Sequence, residues 1–478
     1  MLLRPCHFLA LGAGLLFATC GWEAARAQQV APIYTQEEQE ELILLPPVQS
    51  DGEIDELEDA NSGLVREIEA LTQRLEDLEQ SEEKRSASES EKKKAASKEP
   101  SVEWSAEIQA DSYWFNQDEA NKASYGDIQN GVAFRRARTA IMGEYGPTYY
   151  RLEMDFAQAG RPTFLDVWFG IHDLPENQQV RVGHFFEPFG LERQTSNRYI
   201  TFMERAMIEQ AFAPARNTGI RYDRTYADEH GTASLGVFSS DSDNWGDDVG
   251  NPAGAAITGR ITYLPIWECD GREYLHLGVA YSFRGPRDDE ARFRAEPEAR
   301  IGAAVPNVPF FVDTGVFAAD DYQIAGLESA WIDGPFSLQA EYMMATVDAD
   351  VGAEPFFEGW YGQASYILTG EHRPFDRKFA VFNRLHPYQD ALHYAGDPKD
   401  KILCRGPGAW EIACRLSQVD LNDDGFTGGR NTDFTVGLNW YLTPFMKFTS
   451  NYIHAMPRDQ AGVDSEADIF AMRMGYEF

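Results

Sequence analysis

The sequence predicts an all-β protein, a 16-stranded antiparallel transmembrane β-barrel, preceded by an N-terminal α-helical coiled-coil segment. Three observations carry this. Apolar and polar residues alternate with period two in sixteen segments, the connections between those segments alternate between long and short, and a heptad of Leu and Ile runs near the N-terminus.

The chain begins with Arg4, an apolar run from Phe8 to Ala18 and the small-residue stretch Ala25-Arg26-Ala27. This is the layout of a secretory signal peptide, so residues 1–27 are expected to be removed on export. Cys20 fits a lipoprotein anchor poorly, because Phe17-Ala18-Thr19 precedes it. Residues 28–53 form an N-terminal extension. From Ile54 the heptad passes through Leu57, Asn61, Leu64, Ile68, Leu71, Leu75 and Leu78 in steps of three and four. Leu at every d position and a single polar a position at Asn61 predict a parallel coiled coil over 54–80, although an amphipathic helix on a globular surface has the same period. Residues 81–100 are polar and charged, as in a flexible linker that ends at Pro100.

Residues 101–478 are the barrel candidate. No later apolar run approaches the roughly 18 residues of a membrane helix, so an exported chain of this kind is soluble or a barrel. The segment Thr435–Leu442 sets Val436, Leu438, Trp440 and Leu442 on one face, and Tyr149–Phe156 sets Tyr150, Leu152, Met154 and Phe156 against Tyr149, Arg151, Glu153 and Asp155. A soluble sandwich would bury the apolar face, whereas a barrel turns it to lipid and aims the charges at a wet lumen.

Sixteen strands are predicted: 102–115, 131–145, 147–158, 163–172, 178–186, 217–226, 231–240, 254–264, 272–284, 321–332, 335–347, 355–369, 408–418, 431–442, 445–456 and 467–478. The number is even, as a single-chain outer-membrane barrel requires. With the N-terminus periplasmic, the outer connections such as 187–216 and 285–320 are long and the periplasmic ones such as 146 and 333–334 are short. Residues 370–407 break the rule: they are long on the periplasmic side, which means either a periplasmic extension or a miscounted strand.

Charge narrows the partners. Residues 101–478 contain 56 acidic and 32 basic residues, a net of −24, and only five of the bases are Lys. This argues against nucleic acid. The nine His lack clustered ligand spacing, so no metal site or cofactor is expected. "DLNDDG" at 420–425 imitates the start of a calcium loop, but Asn431 stands at its twelfth position instead of Glu. Cys414 is aimed at lipid beside Ile412 and Leu416, and no Ser-His-Asp arrangement is visible, so the chain is not expected to be an enzyme.

Spaced motifs then point to a family. "RVGHFFEPFGLERQTSNRYITFMERAMIEQAFAPARNTGIRYDR", "ASYILTGEHRPFDRKFAVFNRLHP", "GAWEIACRLSQVDLNDDG" and "GLNWYLTP", in that order, resemble the phosphate-selective porin O and P family over residues 101–478. The resemblance implies an outer-membrane porin, usually a trimer, whose third external loop folds inward to narrow a pore for small anions, phosphate or polyphosphate among them. Strand parity places Arg136, Arg138, Arg151, Arg181, Arg221, Arg415 and Arg473 in the lumen, and the segment resembling the inward loop adds Arg193, Arg198, Arg205 and Arg216. The constriction is expected from Arg136, Arg138, Arg193, Arg198, Arg205, Arg216 and Arg221, since a guanidinium keeps its charge and grips phosphate with two donors.

Parity also puts Glu144, Glu153, Asp155, Asp166, Asp223 and Glu411 inside, which favours a general or cation-preferring pore as the alternative. A secreted β-rich binding protein with a coiled-coil oligomeriser is the reading from another class. The expected partners are small anionic solutes, outer-membrane lipid and lipopolysaccharide, and other copies of the chain in a trimer. The coiled coil would stand in the periplasm and touch the cell wall.

Overall fold

The computed structural model describes residues 99–478, except 158–161, 241, 244, 247–253, 303–306, 350–353, 396–401 and 424. The signal peptide, the extension, the coiled coil and nearly all of the linker lie outside the described residues.

Sixteen antiparallel strands close on themselves. The first half comprises β1 (Glu103–Gln117), β2 (Gly131–Tyr145), β3 (Thr148–Asp155), β4 (Thr163–Leu174), β5 (Gln178–Phe186), β6 (Arg216–Tyr226), β7 (Gly231–Ser239) and β8 (Ala255–Glu268). The second comprises β9 (Glu273–Gly285), β10 (Phe317–Asp333), β11 (Phe336–Ala349), β12 (Phe356–Ile367), β13 (Ala409–Asp423), β14 (Phe426–Thr443), β15 (Met446–Arg458) and β16 (Ala467–Glu477). Each strand pairs with its chain neighbours, and β1 pairs with both β2 and β16, so the sheet has no free edge. Beyond β16, Phe478 exchanges two backbone hydrogen bonds with Ala106 of β1, at 3.0 and 3.1 Å.

The sixteen predicted strands are the sixteen observed. Their ends differ most where strands run past the membrane-thick segment, as in β10, β13 and β14. "DLNDDG" therefore lies largely within β13, where Asp420 accepts from the backbone N and the Nδ2 of Asn422.

The faces are arranged as a membrane barrel demands. Val436 and Leu438 are exposed outside, 43% and 37%, while Glu153, Asp155, Asp223 and Glu411 are buried inside. Cys414 is exposed between Ile412 and Leu416. A water-soluble sandwich would show the reverse, so the secreted-protein reading is set aside. Leu442 departs from its expected outward place. A register shift falls between Tyr441 and Thr443, and Leu442 at that shift is buried. Glu144 stays on the inner parity but sits exposed at the rim.

One rim carries short turns. Gly146 and Gly334 adopt φ of +58° and +55° there, a backbone that favours glycine in tight connections. The other carries long loops, including the helix α1 (Glu119–Tyr125), which is capped by Asp118 accepting from the N–H of Asn121 at 2.6 Å.

Three segments enter the barrel. From the long-loop rim comes the loop 187–215, with short helices α2 (Leu191–Gln194) and α3 (Met207–Ala211), whose Phe189, Leu191, Ile208, Ile200 and Phe202 are buried. The loop 286–316 follows it inward, burying Phe293, Val308 and Phe311. From the short-turn rim the strap 368–408 folds in as well. It holds two small hairpins, Phe375–Asp376 with Val381–Phe382 and Leu392–Ala395 with Ile402–Arg405. The long connection at 370–407 is thus an inward extension, and none of its described residues forms a barrel strand.

Candidate functional site

The inward loop is fixed before any solute arrives. Leu191 and Glu192 donate their backbone N–H groups to the carboxylate of Glu341 on β11, both at 2.8 Å. The strap locks onto the same loop: Phe382 donates its N–H to Thr195 Oγ1 at 3.3 Å, and its side chain clusters with Leu191. Arg373 on the strap reaches Tyr199 O at 3.4 Å. The passage is therefore bounded by a loop from one rim and a strap from the other.

The arginines placed in the lumen by parity and on the inward loop lie inside, but in several separate groups instead of one ring. Glu204 on the loop is a hub for Arg135 at 2.9 Å, Arg136 at 3.7 Å and Arg473 at 2.6 Å. Burial works against its charge, yet those three guanidiniums hold its carboxyl well below the usual range. Arg138 bonds Asp155 at 2.8 Å, and Arg198 pairs with Glu477 at 3.1 Å. Arg181 and Arg221 share Asp223 at 3.0 and 2.6 Å. Arg151 and Arg216 share Asp166 at 3.6 and 2.8 Å. Arg193 pairs with Glu209 at 3.1 Å, Arg415 with Glu298 at 2.6 Å, and Arg205 is held by the carbonyls of Glu192 and Thr195.

Of the eleven, Arg198 and Arg473 line a cleft opening beside the strap, and Arg181 and Arg221 line a second hollow next to it. Tyr199 and Asn383 border both. The other seven line neither hollow.

Sequence reasoning missed four bases. Arg135 should face lipid by parity, but a β-bulge opposite Gln109 and Ala110 turns it in beside Arg136. Arg373 and Arg384 come from the strap, and Lys447 sits at the start of β15. Only the unusual length of 370–407 could have signalled the first two of these.

The cleft inverts the charge of the chain. Its lining includes five bases, Arg198, Arg373, Arg384, Lys447 and Arg473, against three acids, Glu107, Glu411 and Glu477, a net of +2. Among the described residues no group of three or more His, Cys, Asp or Glu is arranged to hold a metal ion.

The comparisons with known proteins decide the family. The family model for phosphate-selective porin O and P matches residues 102–478. The chain belongs to that family. The porin is similar to Porin O of Pseudomonas aeruginosa, 29% identical over 331 residues, which cover 63% of this chain and 70% of that one. It is also 26% identical over 364 residues to an uncharacterized protein of Caulobacter vibrioides, covering 73% and 68%. Among solved structures, an anion-selective porin from Comamonas acidovorans superposes with a TM-score of 0.47 at 15% identity, covering 80% of this porin and all of that chain. The porin is an outer-membrane channel. Its short-turn rim is the periplasmic one.

Proposed function

We propose that this porin passes small anions by passive diffusion, phosphate and short polyphosphates among them, through an arginine-lined constriction. The observation that carries the reading is the +2 lining of the cleft within a barrel region of net −24. Local charge governs a permeating ion inside the cleft, because the Debye length of ~8 Å at physiological salt screens the distant acidic surface. Paired arginines still serve, since a phosphate can exchange with a carboxylate on a guanidinium that offers five donors. The family's description as phosphate-selective supports the same reading.

The competing reading, a general or cation-preferring pore, rests on that −24. The sign of the reversal potential across a planar bilayer under a KCl gradient separates the two. Anion selectivity is expected, and a cation-selective sign refutes the proposal.

The assembly belongs to the same proposal. Three copies pack side by side, the apolar belt meets membrane lipid and lipopolysaccharide, and residues 54–80 form a periplasmic coiled coil in contact with the cell wall. Cross-linking of the native membrane protein, followed by mass measurement, tests the trimer.

A further inference from the structure

We infer that the periplasmic-side cleft is a binding site for small aromatic organic anions, a planar apolar ring bearing a carboxylate. This rests on the anion-channel reading and narrows its substrate class.

The lining is the first argument. Alongside its charges, the cleft presents Tyr199, Tyr441 and Phe445. Hydrated inorganic ions gain nothing from such a wall, because apolar surface cannot replace their water; a flat ring gains both burial and stacking there.

The second argument is where unmatched positive charge lies. In this cleft Arg198 and Arg384 are paired with Glu477, and Arg473 with Asp111. Arg373 and Lys447 differ: among the described residues neither has a carboxylate within ion-pair distance. Arg373 is buried, donates to Gln339 Oε1 at 3.1 Å and lies 3.5 Å over the Phe382 ring. Lys447 donates to Ile200 O at 2.9 Å and stands 4.8 Å from the centre of the Tyr441 ring. Among the described residues, Glu411 in the same lining bonds only Asn439 and Tyr441 and offsets one of these two cations, so a net charge of one is left to an incoming anion.

The two features lie in one hollow, so a ligand with a charged end and a ring satisfies both. The carboxylate goes to Arg373 and Lys447, and the ring goes against Phe445 and Tyr199. Arg384, 4.6 Å over Phe445 and 5.5 Å over Tyr199, holds those two rings in place at the mouth.

The test uses the full-length porin in planar bilayers, with chloride current recorded while benzoate, acetate or inorganic phosphate is added. Benzoate and acetate share a head group and differ by the ring. Benzoate is expected to halve the current at about one tenth the acetate concentration, equivalent to ~1.4 kcal/mol. Phe445→Ala should bring the two together, and Lys447→Met should weaken both. Phe445 is exposed at a turn, and heat-modifiable mobility on SDS gels verifies that each variant folds. Should Phe445→Ala fail to fold, Tyr199→Leu takes its place. Equal action of benzoate and acetate on the unmodified porin overturns the inference. The reversal potential recorded on the same membranes keeps the two proposals apart: a cation-selective sign removes both, whereas an anion-selective pore indifferent to the ring removes this one alone.

Discussion

Arg473 and Asp111 meet across the seam where β16 closes onto β1, with guanidinium Nε and Nη2 donating to the two carboxylate oxygens at 2.8 and 2.7 Å. The same Nη2 reaches Glu204 at 2.6 Å, so one side chain ties the closing strands to the inward loop.

Removing that side chain strands Asp111 inside the barrel and takes one of three guanidiniums from Glu204. Arg473→Ala is expected to destabilise the folded porin by ~3–5 kcal/mol, the usual cost of leaving a buried charge uncompensated. Denaturant unfolding followed by heat-modifiable gel mobility measures it. Asp111→Asn in the same chain should recover part of the loss.

The strap bounds the passage from below. Deleting residues 374–383 takes away Phe382 and its contact with the loop, and the single-channel conductance should rise at least about twofold as the narrow section widens. An unchanged conductance would mean that the strap does not limit flow.

Two loop carboxylates respond to pH. Burial pushes Glu209 up to about 7 against the pull of Arg193, with Glu192 and Glu328 adding to the rise and Arg205 opposing it. Burial likewise pushes Glu296 up to about 7 against Arg300. Both raised values favour the neutral form in the folded protein. Seating of the two inward loops is therefore best below the ordinary carboxylate value, weakens as pH rises from about 4.5 to about 7, and is constant above that. Current recordings should be noisier at pH 8 than at pH 5, and Glu209→Gln with Glu296→Gln should abolish the difference.

The cysteines report orientation. In a Cys404→Ser background, Cys269 at the short-turn rim should react with a membrane-impermeant maleimide, while Cys414, facing lipid, should not react until detergent is added. Prompt labelling of Cys414 in membranes would place the outer wall in water.

The barrel was readable in the sequence because each strand repeats one rule, as Tyr150, Leu152 and Met154 do against Arg151, Glu153 and Asp155. Parity failed only where the backbone breaks step, at the bulge that brings Arg135 inward and at the shift where Leu442 is buried. The lumen was half legible. Period two places an arginine inside but is silent about its counter-ion, and those counter-ions are remote: Glu204 lies 269 residues from Arg473, and Glu298 sits in a loop far from Arg415. The inward path of 286–316 left no periodic trace either, since a loop seated by Phe293, Val308 and Phe311 reads in sequence like any other.

The strap is moored at its edges. Arg377 donates to the carbonyls of Asp228 and Glu229 in one neighbouring turn, and Arg272 in the next donates to the hydroxyl of Tyr388 at 2.8 Å. The lower lip of the barrel is consequently a single laced collar, not a hanging flap. Any event that widens the exit must unfasten several ties at once, which makes such openings rare and all-or-none.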